Sequence, residues 1–273
     1  MGEAQHFVWD ASPILFDLGF YQLRWYSLLF ALTFIAGYYI MQRFFKLDGK
    51  PLDELDTLAI YMMIATVVGA RLGHMFFYAF DKVQADPLSI FYVWEGGLAS
   101  HGAAIGLLLS MWLFAKKKGF RFLWIADRIV VTVALSGLFI RTGNFFNSEI
   151  VGKPTDSSLG VVFARLGEDF ARHPAQLYEA FYYSLVFILL MWLVNKQSTK
   201  NMGKQTEKDN DGLALGLFLV LVFAFRFIVE FFKANQVMFE DGMALNMGQW
   251  LSIPFVLIGL GLLVWRKKAI TKT

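Results

Sequence analysis

The 273-residue chain contains no cysteine. That excludes disulfides, thiolate metal ligands and a thiol nucleophile supplied by the protein. Any thiol chemistry must be performed on another molecule's thiol. Charge is also scarce: Asp, Glu, Lys and Arg make up 17% of the residues, against roughly 25% in a soluble domain. The charges that exist lie in short blocks between long stretches that carry almost none, which is the pattern of a polytopic membrane protein. No segment reads as a soluble domain, no internal repeat stands out, and only "NKQSTKNMGKQTEKDNDG" resembles a linker. The net charge of +3 arises mostly in inter-helix loops, and no basic stripe points to nucleic acid.

What is present is apolar and aromatic. Hydrophobic residues make up 57% of the chain, with 29 phenylalanines and 8 tryptophans, as lipid-facing helices and interfacial belts require. Seven apolar runs of about 20 residues each lie near 26–43, 57–79, 98–115, 122–143, 175–194, 212–232 and 248–265. They predict an all-α, polytopic membrane protein with seven transmembrane helices in a single membrane domain spanning 1–273. Residues 1–25 lack a basic start and a small-residue cleavage site, so they read as an amphipathic interfacial segment rather than a cleaved signal. The first span then stays as an anchor.

Lysine and arginine set the orientation. The segments after runs 1, 3, 5 and 7 hold 15 of them, including Lys116, Lys117, Lys118 and Arg266; the opposite side holds six: Arg24, Lys82, Lys153, Arg165, Arg172 and Lys233. This bias predicts an external N-terminus and a cytoplasmic C-terminus. Four arginines remain inside or at the ends of runs: Arg71, Arg128, Arg141 and Arg226. Each costs about 2.5–3.5 kcal/mol at a bilayer centre on insertion scales, so each needs a reason. Asp127 and Arg128 read as an interfacial anchor at the cytoplasmic end of run 4, because a long arginine can snorkel. Arg71 has Glu95 or Glu149 as candidate partners. Arg226 and Glu230, four apart on a helix, share a face and can pair.

On this topology polar residues converge on the outer leaflet. Run 2 brings Arg71 and His74, and run 3 begins with His101 among small residues. Run 4 ends in "FIRTGNFFNSEIVG", with Arg141, Asn144, Asn147 and Glu149. Run 5 begins after "RHPAQLYEA", with His173, Gln176, Tyr178 and Glu179; run 6 ends with Arg226 and Glu230; run 7 opens with Asn246 and Gln249. Intramembrane ionisable groups that converge define a site by default. The pairs Gly69–Gly73, Gly102–Gly106 and Gly212–Gly216 have the small-xxx-small spacing of close helix contacts. Gly96, Gly97 and Gly143 instead read as permissive backbone where a segment unwinds, which membranes tolerate only against protein or a wet cavity. Arginines with few carboxylates to neutralise them suit a phosphate, and the outer half of a bilayer supplies one as a phospholipid head group. Asparagine and tyrosine suit glycerol hydroxyls, and a lone histidine is a base near neutral pH. The residues themselves define a lipid-phosphate site with catalytic potential. His74, His101 and His173 lack the spacing of zinc ligands, and neither a metal nor a cofactor is expected.

The motifs carry a resemblance. "IRTGNFFNSEIVG" resembles the signature of the prolipoprotein diacylglyceryl transferase family, Gly-Arg-x-Gly-Asn-Phe-x-Asn-x-Glu followed by a nearby Gly. "GLASHGAAIG", "RHPAQLYEA", "RFIVEFFK" and "MGQWLSIP" are similar to further blocks of that family in the same order, from about Trp25 to Trp265. The resemblance implies transfer of a diacylglyceryl group from phosphatidylglycerol to the lipobox cysteine of a preprolipoprotein signal peptide. A thioether forms and glycerol phosphate leaves, at the bacterial cytoplasmic (inner) membrane with the active site facing the outer leaflet. It matches His101, Arg141 and Arg226 to catalytic residues. Tyr26, Asn144, Asn147, Glu149, Gly152 and Glu230 match substrate-binding positions, with Tyr178 as a further head-group contact. The chain departs from the family pattern at Ile140, where the signature has glycine, and at Val222, where the family has a tyrosine one turn before the run-6 arginine. An arginine-lined cavity also suits a transporter or flippase for an anionic lipid or metabolite, which remains the alternative. An intramembrane protease is disfavoured, since there is no His-Glu-x-x-His, no Gly-x-Ser-x-Gly and no pair of buried aspartates.

Overall fold

A computed structural model describes residues 6–92, 94, 96–201, 211–234, 240 and 242–270. The protein is mostly helical, and each of the seven apolar runs overlaps a helix, with runs 57–79, 98–115 and 212–232 extending past the helix ends. Among the described residues, five helices are long and apolar enough to cross a membrane: α1 (Trp25–Leu47), α2 (Leu52–Phe77), α5 (Phe122–Phe146), α6 (Ala175–Asn201) and α8 (Met247–Ile270). The other two runs give shorter or more polar helices. α4 (Ser100–Lys118) ends in three lysines, and α7 (Leu213–Val229) has 17 residues, about 26 Å at 1.5 Å per residue. A short helix, α3 (Phe80–Ala85), and a 3-10 turn (Pro87–Phe91) follow α2. Many large apolar side chains are exposed, such as Phe181 at 66% and Ile64 at 58%. Large apolar side chains exposed in such number are unusual on a soluble monomer.

The chain divides into two compact units: residues 1–41 with 127–273, and residues 42–126.

In the first unit the expectation of purely helical structure is corrected by four short strands. β1 (Phe7–Trp9) pairs in parallel with β4 (Val161–Phe163), and β2 (Ile14–Asp17) pairs antiparallel with β3 (Gln22–Arg24). Three of these strands precede α1. Trp9 explains the first pair. Its ring packs 4.3 Å from that of Phe145 and its indole N–H donates to the Phe145 carbonyl at 3.1 Å, beside buried Val161 and Phe163. Burial of these aromatics favours the docked strand by about 25 cal/mol per Å² of apolar surface. Asp127, expected as an interfacial anchor, is instead fully buried at 0% exposure. Its carboxylate accepts from the backbone N–H groups of Gly212 and Leu215, both at 2.8 Å. It satisfies orphan donors at the first turn of α7. Gly212 consequently serves as the left-handed N-cap of α7 (φ 87°) rather than as one half of a packing pair. Its companion Gly216 does pack, against Gly259 and Leu263 of α8.

In the second unit α2 and α4 approach through glycine. A methyl group on Gly73 would lie 2.8 Å from the Gly102 Cα, and one on Gly69 or Gly106 would strike a carbonyl oxygen of the facing helix. This is the close contact that the small-xxx-small spacing predicts. Phe44, Phe45, Phe114 and Ile125 form fully buried packing here. Arg71, 4% exposed, is held by backbone carbonyls. It donates to Ser89 at 2.6 Å, Ile90 at 3.1 Å, Gly97 at 3.4 Å and also Gly96. Its candidate partner Glu95 lies outside the described residues. Gly96 and Gly97 (φ 80° and 73°) are unwound as expected, and a side chain on Gly97 would meet the His74 ring at 2.5 Å.

Candidate active site

The site lies in the first unit, where the C-terminal ends of α5 and α7 and the N-terminal ends of α6 and α8 carry polar residues that touch one another. α5 does not unwind at Gly143; it continues to Phe146. Gly143 is a packing glycine, since a methyl there would lie 2.8 Å from the Tyr26 ring and 3.1 Å from its Cα. The unwinding falls later, at Ser148 (φ 52°) and Ile150 (φ 57°). Left-handed backbone at a β-branched residue is rare, and such residues cost about 1–3 kcal/mol each and cluster at functional sites.

The bend turns Glu149 back onto its own helix. Its Oε1 accepts from the Asn144 amide at 2.7 Å and the Asn147 amide at 3.1 Å. Gln176, at the start of α6, donates to the Glu149 carbonyl at 2.6 Å and so fixes the bend. Asn144 is three residues beyond Arg141 and shares its helix face. Its carbonyl oxygen accepts from the Arg141 Nη1 at 3.2 Å. The Arg141 Nε forms an ion pair with Glu179 Oε2 at 3.0 Å. Glu149, Asn144, Arg141 and Glu179 thus form one chain of contacts from α5 to α6.

A second cluster joins α7 to α8. The expected Arg226–Glu230 pair is not formed. Glu230 Oε1 instead accepts from the Lys233 ammonium at 2.8 Å, and its Oε2 accepts from the Asn246 amide at 3.0 Å. Lys233 is 4% exposed and reaches toward Glu179 Oε1 at 3.9 Å, which links the two clusters. Arg226 makes no hydrogen bond or ion pair among the described residues, and its Nε is buried without a partner. Arg141, Glu179 and Arg226 all act electrostatically on the phenol of Tyr183. The Tyr183 ring rests on Gly137, where a methyl would lie 2.6 Å from it.

Gly152 sits where backbones meet. Its N–H donates to the His173 carbonyl at 2.9 Å, and a methyl there would lie 2.5 Å from the His173 Cβ and 2.7 Å from the Phe232 carbonyl. Tyr178 has its hydroxyl 3.1 Å from the His173 Nδ1, so it is engaged locally. Tyr26 packs on Gly143, and its phenol is within electrostatic reach of Glu149 and Arg141. Val222, the departure from the family pattern, is buried at 5%. His101 belongs to the second unit, exposed on the first turn of α4. Its ring meets those of Phe77 and Tyr78 at 5.3 and 5.7 Å, and it makes no hydrogen bond among the described residues. Lys233 and Tyr183 are not among the site residues read from the sequence, and Glu179 is placed in the converging polar layer without a role. For Glu179 the signal was present, as an acid beside Gln176 in an otherwise apolar helix.

Chemically, two buried carboxylates set among three cations leave one guanidinium to be satisfied from outside. The fold and site define a class: helical proteins with several membrane-length helices and an arginine-rich polar cluster where helix ends meet. The chain belongs to the prolipoprotein diacylglyceryl transferase family, whose model matches residues 13–265. It is similar to phosphatidylglycerol–prolipoprotein diacylglyceryl transferases of Tolumonas auensis (49% identity, 95% of this chain and 97% of the relative) and Chloroherpeton thalassium (44%, 95% and 94%). A third relative with that name, from Porphyromonas gingivalis, is 41% identical over 94% of this chain and 93% of its own.

Proposed function

We propose that the protein transfers the diacylglyceryl group of phosphatidylglycerol to the lipobox cysteine thiol of a preprolipoprotein signal peptide. The observation that carries this reading is Arg226, whose buried Nε has no protein partner in a family named for a reaction that uses a phospholipid. The side chain is half-buried; a buried guanidinium N–H left without a partner is costly, and a phosphate satisfies a guanidinium bidentately.

In this reading Arg226 and Arg141 hold the phosphate and stabilise the charge that grows on it in the transition state. Asn144, Asn147 and Tyr26 contact the head group, and Tyr178 borders it. Glu149 orients the asparagines, Glu230 anchors Lys233, and Gly152 keeps the 152–173 backbones close. A free thiol titrates near pH 8.5 and reacts as the thiolate; His101 accepts the thiol proton. The sulfur attacks the glycerol C3 carbon, the S–C bond forms, and the C–O bond to phosphate breaks. The electron pair leaves with glycerol phosphate. Holding both reactants together supplies much of the acceleration. The seven helices all span the bacterial cytoplasmic membrane, with the N-terminus outside, the C-terminus in the cytoplasm, the first 25 residues at the interface, and the site in the outer leaflet.

The test is incubation of the purified protein with phosphatidylglycerol and a lipobox peptide. The expected result is a gain of one diacylglycerol unit on the peptide cysteine, lost in the variant His101→Gln. An unmodified peptide under conditions where a known relative acts would sink the reading.

A further inference from the structure

We infer that Glu179 is a positioning residue for Arg141, and that Lys233 completes the device by drawing Glu230 away from Arg226. The inference rests on the reading of Arg141 and Arg226 as the phosphate-binding pair.

Glu179 is 2% exposed, and its two oxygens face two cations. Oε2 lies 3.0 Å from the Arg141 Nε, and Oε1 lies 3.9 Å from the Lys233 Nζ. An acid near a helix N-terminus is favoured by the helix dipole, but that benefit is available to an acid facing water. Here the carboxylate is desolvated and aimed across to α5. Desolvation offsets most of the Coulomb gain of a buried pair, so its contribution is chiefly geometric. Nε is the root of the guanidinium plane. Glu179 holds Nε by charge, as an ion pair without hydrogen-bond alignment, and Asn144 accepts from Nη1 at 3.2 Å, so the Arg141 guanidinium is held at two points. Its Nη2 has no partner among the described residues. Bidentate recognition of phosphate depends on a fixed plane.

Lys233 accounts for the other arginine. Glu230 is one helical turn from Arg226, near enough in sequence to neutralise it. Both Glu230 oxygens are taken instead, by Lys233 at 2.8 Å and Asn246 at 3.0 Å. A methyl on Gly248 would lie 2.7 Å from the Glu230 carboxyl carbon, so this glycine leaves room for the carboxylate to sit there. The arrangement holds one arginine in place and leaves the other unneutralised.

The test uses the full chain in nanodiscs containing phosphatidylglycerol, with a lipobox peptide as acceptor. Wild type, Glu179→Gln, Arg141→Lys and the double variant are compared. Each single change is expected to lower kcat by about 100-fold, the scale of a lost transition-state contact, with KM for the lipid within about threefold. Because Glu179 acts through Arg141, the double variant should be no slower than Arg141→Lys alone. Glu179→Asp keeps the charge but shortens the reach. It should unfold at the wild-type temperature yet lose about tenfold or more in kcat, and it decides the matter if Glu179→Gln does not fold. Wild-type kcat in the Glu179 variants, or losses that multiply in the double variant, would overturn the inference while an impaired Arg141→Lys still upheld the site. Wild-type kcat in Arg141→Lys would overturn the site reading itself.

Discussion

Arg71 and Arg226 are both arginines within apolar helices, and they are used in opposite ways. Arg71 gives its donors to four backbone carbonyls of the 89–97 segment. Arg226 gives none to the protein among the described residues, and its Nε is buried. Backbone carbonyls cannot leave, so an arginine bound to them is a structural clasp. An arginine left without partners is available to a ligand. Arg141 stands between the two, held by side chains on Nε and Nη1. Partner type separates structure from chemistry here more sharply than depth does.

That contrast can be broken by experiment. The largest effect is expected from Arg226→Ala, which should cost roughly 10²–10³-fold in transfer with little change in thermal unfolding; equal activity would end the contrast. Arg71→Met should do the reverse. Four carbonyls lose their donor, and chemical denaturation should show a loss of about 3 kcal/mol or more, while the rate per folded molecule stays within about threefold of wild type. A catalytic loss without instability would move Arg71 into the site.

Asp127→Ala removes the buried acceptor of the α7 cap and should cost about 1–2 kcal/mol, read by the same denaturation. The smallest effect sits at the surface. Arg172 holds the Glu168 carboxyl below its usual range through hydrogen bonds at 2.5 and 2.6 Å. A depressed carboxylate stabilises the fold above its unfolded pKa, and that contribution fades as pH falls below about 4.5 toward the folded value. Glu168→Gln should therefore narrow the stability difference between pH 7 and pH 3 by at most about 1 kcal/mol, since the pair is partly exposed.

Much of this was legible in sequence. The seven apolar runs overlap the seven longer helices of the described residues because an apolar stretch is a local signal, and the glycine spacing of α2 and α4 forecasts their contact. The 139–152 motif marks the bend and its asparagines. What was hidden depends on distance along the chain. Asp127 meets Gly212 across 85 residues, and β1 finds β4 across more than a hundred. Neither leaves a local trace. The Arg226–Glu230 pairing failed because helical spacing permits a contact without choosing among competitors. Lys233 and Asn246 are also within reach, and they take both oxygens of Glu230. Gly143 misled for a related reason: glycine serves equally for unwinding and for close approach, and only the neighbouring Tyr26 shows which applies.

The central claim is that Arg226 awaits a phosphate, and native mass spectrometry of the detergent-purified protein tests it most directly. Wild type should retain phosphatidylglycerol in preference to phosphatidylcholine, and Arg226→Gln should lose at least about tenfold in that affinity, the scale of one charged hydrogen-bonding partner. Equal retention of phosphatidylglycerol by both proteins would contradict the account.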